Sequence, residues 1–154
     1  MMPGLEPWLT RAQRYCAQQE RSAMEVLMKL QGWGCPTPWA LEILRLLQDE
    51  RYQDEQRFAS LYVRSKANQN QWGRQKIAAG LARKGVPGPI AEAALQALDG
   101  AEQQQRIQKL MRRKLAQLPP DSPQRYERVV RYLLQKGFSY PDIRAAWDVL
   151  LHEK

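Results

Sequence analysis

A chain of 154 residues with two cysteines is too poor in thiols for a disulfide framework, and no apolar run in it approaches the roughly 18–20 residues that span a bilayer. No basic segment followed by an apolar stretch opens the chain, so no secretory leader is expected. A reducing cytoplasm is the simplest setting for Cys16 and Cys35, which read as small apolar residues. The net charge of +8 is unevenly placed: residues 1–56 hold six basic and eight acidic side chains, residues 57–91 seven basic and no acidic ones, and residues 92–154 eleven basic and eight acidic. Such a field favours a polyanion or an acidic protein surface.

The stretch from Leu9 to Gln19 predicts a short first helix. Ser22-Ala-Met-Glu25 is a capping-box pattern that opens a second, which ends near Gly34, and Pro38 lies in the first turn of a third. After a linker at Gln48–Gln53, Asp54 caps a fourth helix with Phe58, Leu61, Tyr62 and Ser65 on one face. The fifth ends near Gly85 and Pro89 opens the sixth. Beyond a linker at Asp99–Ala101, Ile107, Leu110, Met111 and Leu118 make one face of the seventh. Pro119, Pro120 and Pro123 mark the clearest break, at Leu118–Pro123. The eighth helix then ends near Gly137 and the ninth opens at Pro141. No stretch reads as a strand, because Val, Ile and Thr never alternate over five or more residues.

Aligned on Gly34, Gly85 and Gly137, the chain repeats. Eight residues earlier stand Val26, Ile77 and Val129, and four earlier Leu30, Leu81 and Leu133. One residue later stand Cys35, Val86 and Phe138, and four later Pro38, Pro89 and Pro141. Leu44, Leu95 and Trp147 follow at ten, and Leu47, Leu98 and Leu150 at thirteen. These columns describe a helix, a left-handed glycine turn, and a second helix whose +10 and +13 positions form its buried face. With the helix ahead of each pair, the expected fold is all-α: three tandem three-helix, helix-turn-helix-like repeats at residues 1–50, 51–100 and 101–154. Units this small must share apolar surface, which predicts an elongated, curved body.

Nothing points to catalysis. The one histidine, His152, lies near the C-terminus, too little for a metal site or a triad. Gly32-Trp33-Gly34 is a helix-end turn rather than a phosphate loop, and Asp54-Glu55 suits a helix start. Basic side chains are the stronger signal. Arg57, Arg64, Lys66, Arg74, Lys76, Arg83 and Lys84 lie off the apolar stripe of the second repeat. Arg106, Lys109 and Arg113 share one helix face in the third, widened by Arg112, and Arg128 continues the stripe. Ordinary surfaces mix charge signs, so the absence of any acid from Arg57 through Ala91 marks this as a candidate partner face. Trp147 fills a core column, whereas Trp33 and Trp72, at turns, read either as lids over the core or as anchors for a partner.

The second repeat reads Asp54-Glu-Gln-Arg57-Phe58-Ala59-Ser-Leu-Tyr62-Val63, then Gly73-Arg74-Gln-Lys76-Ile77, then Leu81-Ala-Arg83-Lys84-Gly85-Val86. This resembles the RecX family of bacterial RecA regulators, with its D-x-x-R-F-A-x-x-[YF]-V, G-x-x-x-I and L-x-x-K-G-[IV] stretches. Arg131-Tyr-Leu-Leu-Gln-Lys136-Gly137-Phe138 is similar to the family's R-x-L-x-x-[RK]-G-[FY]. The resemblance spans about residues 10–150. It implies a monomeric cytoplasmic protein without a cofactor that binds the RecA filament on single-stranded DNA. There it limits filament growth, ATPase and strand exchange, with some direct DNA contact. The alternative is a helix-turn-helix protein that binds DNA independently of RecA. Against it, the stretch from Pro89 to Leu98 carries no Arg, Lys or Asn to read bases.

Overall fold

The computed structural model describes residues 4–153, which form nine α-helices and no strand among them. They are α1 (Glu6–Gln18), α2 (Ala23–Gly32), α3 (Thr37–Asp49), α4 (Glu55–Asn68), α5 (Arg74–Arg83), α6 (Gly88–Leu95), α7 (Gly100–Gln117), α8 (Arg125–Gln135) and α9 (Tyr140–His152). The chain divides into two compact units. One holds the residues up to Tyr62 together with Gly80–Ala94, the other Val63–Ala79 together with everything from Leu95 onward. The division falls inside α4 and α5, so the residues of the second repeat are shared between the units.

The glycine turn has the same hydrogen bonds three times. Gly34, Gly85 and Gly137 adopt φ of 93°, 76° and 101°. The N–H of each glycine donates three residues back, to the carbonyls of Gln31, Ala82 and Leu134, at 3.0 Å in every case. The next N–H reaches five residues back: Cys35 to Leu30 at 3.0 Å, Val86 to Leu81 at 3.1 Å, and Phe138 to Leu133 at 3.2 Å. This is the paired bonding of a Schellman cap, in which the residue after the glycine also packs against the helix's last turn. Leu30, Leu81 and Leu133 are fully buried, and Cys35, Val86 and Phe138 nearly so. The proline column supplies the second residue of α3, α6 and α9, where a missing N–H costs no helix bond.

Other caps follow the sequence closely. Ser22 accepts from the Glu25 N–H at 3.1 Å, and the Glu25 carboxylate accepts from the Ser22 N–H at 2.9 Å. Asp54 accepts from the Arg57 N–H at 3.0 Å and starts α4. Ser139 caps α9 and Asp99 caps α7. Because Asp99 is the cap, α7 begins at Gly100, and the linker before it lies earlier than Asp99–Ala101.

Several expected faces shift. α1 has 13 residues, as many as α3, because Glu6 and Pro7 start it earlier than Leu9. In α4 the buried residues are Phe58, Ala59, Val63 and Ala67, while Leu61 is turned outward at 43% exposure. Two alanines in that stripe carry little hydrophobic signal in sequence. Leu118 is extended and lies just beyond α7 rather than on its face. In the last helix of each repeat the residue nine after the glycine is also buried, as Ile43, Ala94 and Ala146, while of the +10 and +13 columns only Leu95 and Leu47 are buried. Trp147, Leu44, Leu98 and Leu150 are only half-buried.

In the first unit, Leu5, Ala12, Cys16, Val26, Leu30, Cys35, Ile43 and Leu47 build one core. In the second, Ile107, Leu110, Met111, Val129, Leu133, Phe138, Ile143 and Ala146 build another, with Trp147 packed on it edge-to-face against Tyr126 at 4.8 Å. Burial pushes the Cys16 thiol up to about 11 and that of Cys35 upward, which fits the reading of both as small apolar residues.

The glycine turns differ in what surrounds them. A Cβ on Gly34 meets nothing within 4 Å, so Gly34→Ala should cost only the left-handed strain, about 1–2 kcal/mol. A Cβ on Gly137 would lie 2.7 Å from the Lys76 backbone nitrogen. Urea unfolding should therefore show Gly137→Ala as the more destabilised of the two; equal midpoints would contradict this packing.

Candidate functional site

The cations of the second unit gather around the loop that leaves α4. Gln71 turns the chain with φ 57°, and the Trp72 N–H donates to the Lys66 carbonyl at 3.0 Å. The half-buried Trp72 ring then lies between two amines, with Lys66 Nζ 4.9 Å and Lys76 Nζ 4.6 Å from its centroid. Each such contact is worth about 0.5–1 kcal/mol at exposed sites. Trp72 is therefore neither a plain lid nor a bare anchor, since its ring holds cations.

Backbone bonds hold the loop. The Gly73 N–H donates to the Lys136 carbonyl at 2.8 Å, and the Gln75 N–H to the Gly137 carbonyl at 3.1 Å. A Cβ on Gly73 would lie 2.5 Å from the Gly137 carbonyl carbon, so only glycine permits this approach. Lys136 Nζ donates to the Asn70 carbonyl at 3.0 Å. Arg106 donates to Asn68 Oδ1 at 3.1 Å and to Gln103 Oε1 at 2.7 Å. Lys66, Lys76, Arg106 and Lys136 thus surround one loop. Lys136 is not prominent in sequence, yet it occupies the column just before the glycine, where Lys84 stands in the second repeat.

The other predicted residues of this unit are more dispersed. Arg64 is exposed on α4, Lys109, Arg112 and Arg113 on α7, and Arg128 on α8. Arg112 pairs with Glu153 at 2.6 Å. Arg74 is exposed and donates to the Leu95 carbonyl at 3.3 Å, which ties the start of α5 to the end of α6.

Arg57, Arg83 and Lys84 belong to the other unit. The Arg57 guanidinium Nε lies 2.6 and 2.7 Å from the two Glu20 carboxylate oxygens, and its Nη2 donates to the Arg51 carbonyl at 3.0 Å. The hydrogen bond to Glu20 raises its pKa further. Arg57 therefore ties the α1–α2 linker to the start of α4. Nearby, buried Gln53 donates to the Arg21 carbonyl at 3.2 Å, and Glu55 accepts from the Ala23 N–H at 3.0 Å. Lys84 pairs at 3.1 Å with Glu25, the carboxylate that closes the Ser22 capping box, while Arg83 is exposed. The side chains of Arg57 and Glu20 are 41% and 23% exposed, so solvent screens their attraction. A double-mutant cycle on Arg57→Ala and Glu20→Ala should give a coupling of about 0.5–1 kcal/mol in thermal unfolding. A coupling of zero would mean the pair holds nothing in place.

Among the described residues, no group of three His, Cys, Asp or Glu side chains is placed to hold a metal ion, and no helix is long and apolar enough to cross a membrane. The fold and these surfaces define a class: three-helix repeats, each with a glycine turn between its last two helices, and cations set around a tryptophan loop. Two domain models of one family match, the second three-helix domain of RecX at residues 54–95 and the third at residues 101–147. The chain belongs to the RecX family. The regulatory protein RecX of Prosthecochloris aestuarii is 31% identical over 93% of this chain and 93% of its own length. That of Oceanobacillus iheyensis is 34% identical over 80% of this chain but 46% of its own length, so this chain spans about half of that relative. The crystal structure of RecX from Lactobacillus salivarius superimposes with a TM-score of 0.87 at 27% identity, covering 95% of this chain and 96% of that one.

Proposed function

We propose that this protein binds the RecA filament on single-stranded DNA, as a cytoplasmic monomer without a cofactor, and restrains filament growth, ATPase and strand exchange. It acts by occupying a surface and not by catalysis. Family membership supplies the partner. The gathering of Lys66, Lys76, Arg106 and Lys136 around the Trp72 loop carries the reading. The stretch from Arg57 to Ala91 adds no carboxylate to oppose it. A cationic surface of this kind is drawn to phosphate and to acidic side chains, which speeds encounter and makes binding sensitive to salt. In the second repeat the helix-turn-helix alternative lacks a reading helix, since α6 is eight residues with no Arg, Lys or Asn.

Arg57 holds Glu20 and Arg74 the Leu95 carbonyl, so the test changes exposed Arg64 together with Lys66 and Lys76, the two amines on the Trp72 ring. The parent protein should slow the single-strand-dependent ATPase of RecA at sub-stoichiometric ratios. Arg64→Glu, Lys66→Glu and Lys76→Glu together should raise the required concentration about tenfold or more while leaving helicity intact by circular dichroism. A parent without effect on ATPase, filament length or strand exchange would sink the filament reading. A triple variant as potent as the parent would place the contact away from this loop.

A further inference from the structure

The acidic balance of residues 1–56 conceals a sorting of charge in the folded first unit. Glu20 is paired with Arg57 and Glu25 with Lys84, while Glu42 and Asp49 both pair with Arg45. Glu55 accepts from the Ala23 N–H and the Gln53 amide. Each of these carboxylates has a partner within its own unit. Elsewhere in the same unit, α1 carries Arg11, Arg14, Tyr15 and Gln18 at i, i+3, i+4 and i+7, one helix face, and α2 carries Lys29 and Trp33 at i and i+4. With Arg21 they line an open groove of about 620 Å³, and no carboxylate lines it. Arg11, Arg14 and Lys29 are exposed, and among the described residues none of them forms an ion pair.

The aromatic rings are interleaved with these cations. The Arg11 guanidinium sits 4.2 Å from the Trp33 ring centroid, and that of Arg21 sits 3.8 Å from Tyr15. Lys29 Nζ lies between the two rings, at 5.5 and 5.9 Å. Tyr15 and Trp33 meet edge-to-face at 6.1 Å and pack on the first core, so the platform is held before anything binds. Arg21 is held further by bonds to the Tyr15 carbonyl and Gln18 Oε1.

An acidic protein patch would need only the cations. Flat guanidinium–aromatic stacks beside spaced positive charges suit a polyanion whose bases are free to stack, and a duplex keeps its base faces covered. We infer that the groove between α1 and α2 binds single-stranded nucleic acid, with phosphates on Arg14 and Lys29 and bases against the Arg11–Trp33 and Arg21–Tyr15 stacks. The inference rests on the filament reading only for which strand is met in the cell; binding to a bare strand needs no RecA.

Fluorescence anisotropy of a labelled oligo-dT strand, titrated with the full chain across a range of salt, tests it. The parent should bind without RecA. Arg11→Ala, Arg14→Ala and Lys29→Ala together should weaken binding about tenfold or more. They should also flatten the log–log salt slope by about 1.4, since the phosphate contacts of Arg14 and Lys29 are lost and each on a single strand contributes about 0.7. Trp33→Leu, checked by its melting curve to be folded, should weaken binding about tenfold with the slope retained, as loss of stacking does. Three outcomes overturn the inference: a parent that does not bind the strand, variants that bind as the parent does, or displacement of the strand equally well by duplex or by polyglutamate. The last would assign the groove to phosphate alone or to an acidic protein. RecA ATPase measured on the same proteins separates the two readings. A parent that binds the strand but leaves RecA untouched overturns the filament reading alone, and one that slows RecA but binds no strand overturns this one alone.

Discussion

The left-handed glycine that closes α2, α5 and α8 is the constraint on which the remaining structure depends. At that residue the helix has run out of partners for its last carbonyls, and two backward N–H bonds satisfy them only if one residue adopts positive φ. The same turn sends the residue after the glycine back onto the leucine five positions earlier. Each turn thus closes a piece of core as it ends a helix, and it fixes where the following proline-led helix begins. Replacing the leucine column would open cavities in buried sites, whereas replacing the glycines would strain the backbone that aims both helices.

Charge is arranged by a different rule. Carboxylates in this molecule are mostly spent on structure: they cap helices, close a capping box, or pair with a basic residue that joins two segments. Basic residues are more numerous, and the surplus collects around aromatic rings, at Trp72 in one unit and at Tyr15 and Trp33 in the other. A ring holds a cation without neutralising it, whereas a carboxylate cancels it. That difference keeps a positive field in place while still ordering the long side chains that produce it.

Much of the fold is legible in the amino-acid sequence, because the glycine, proline and leucine columns carry backbone requirements that few other residues meet. Ser22, Glu25 and Asp54 are legible for the same reason. Faces built from alanine are not: Ala59, Ala67, Ala94 and Ala146 are buried, yet alanine is at home on either side of a helix, so Leu61 and Trp147 look more central than they are. The proposed binding surface is legible only in part. A run of residues without acids points to Lys66 and Lys76. Summing charge over a segment hides Arg11, Arg14, Arg21 and Lys29, because the sum counts carboxylates that the fold directs to Arg57, Lys84 and Arg45. Arg57 shows the reverse, a cation in the acid-free stretch that meets its acid from a distant part of the chain.

The loop at Trp72 is held by backbone bonds to Lys136 and Gly137, more than sixty residues further along. Contacts of that sequence separation carry a loop-closure cost and cannot form before both ends exist. A chain made from its N-terminus exposes the loop early and its fastening late. The first unit's groove draws only on residues from Arg11 to Trp33, a short stretch of chain. The two cationic platforms of this molecule therefore differ in the span of chain that each needs: the first closes over little more than twenty residues, the second over more than sixty.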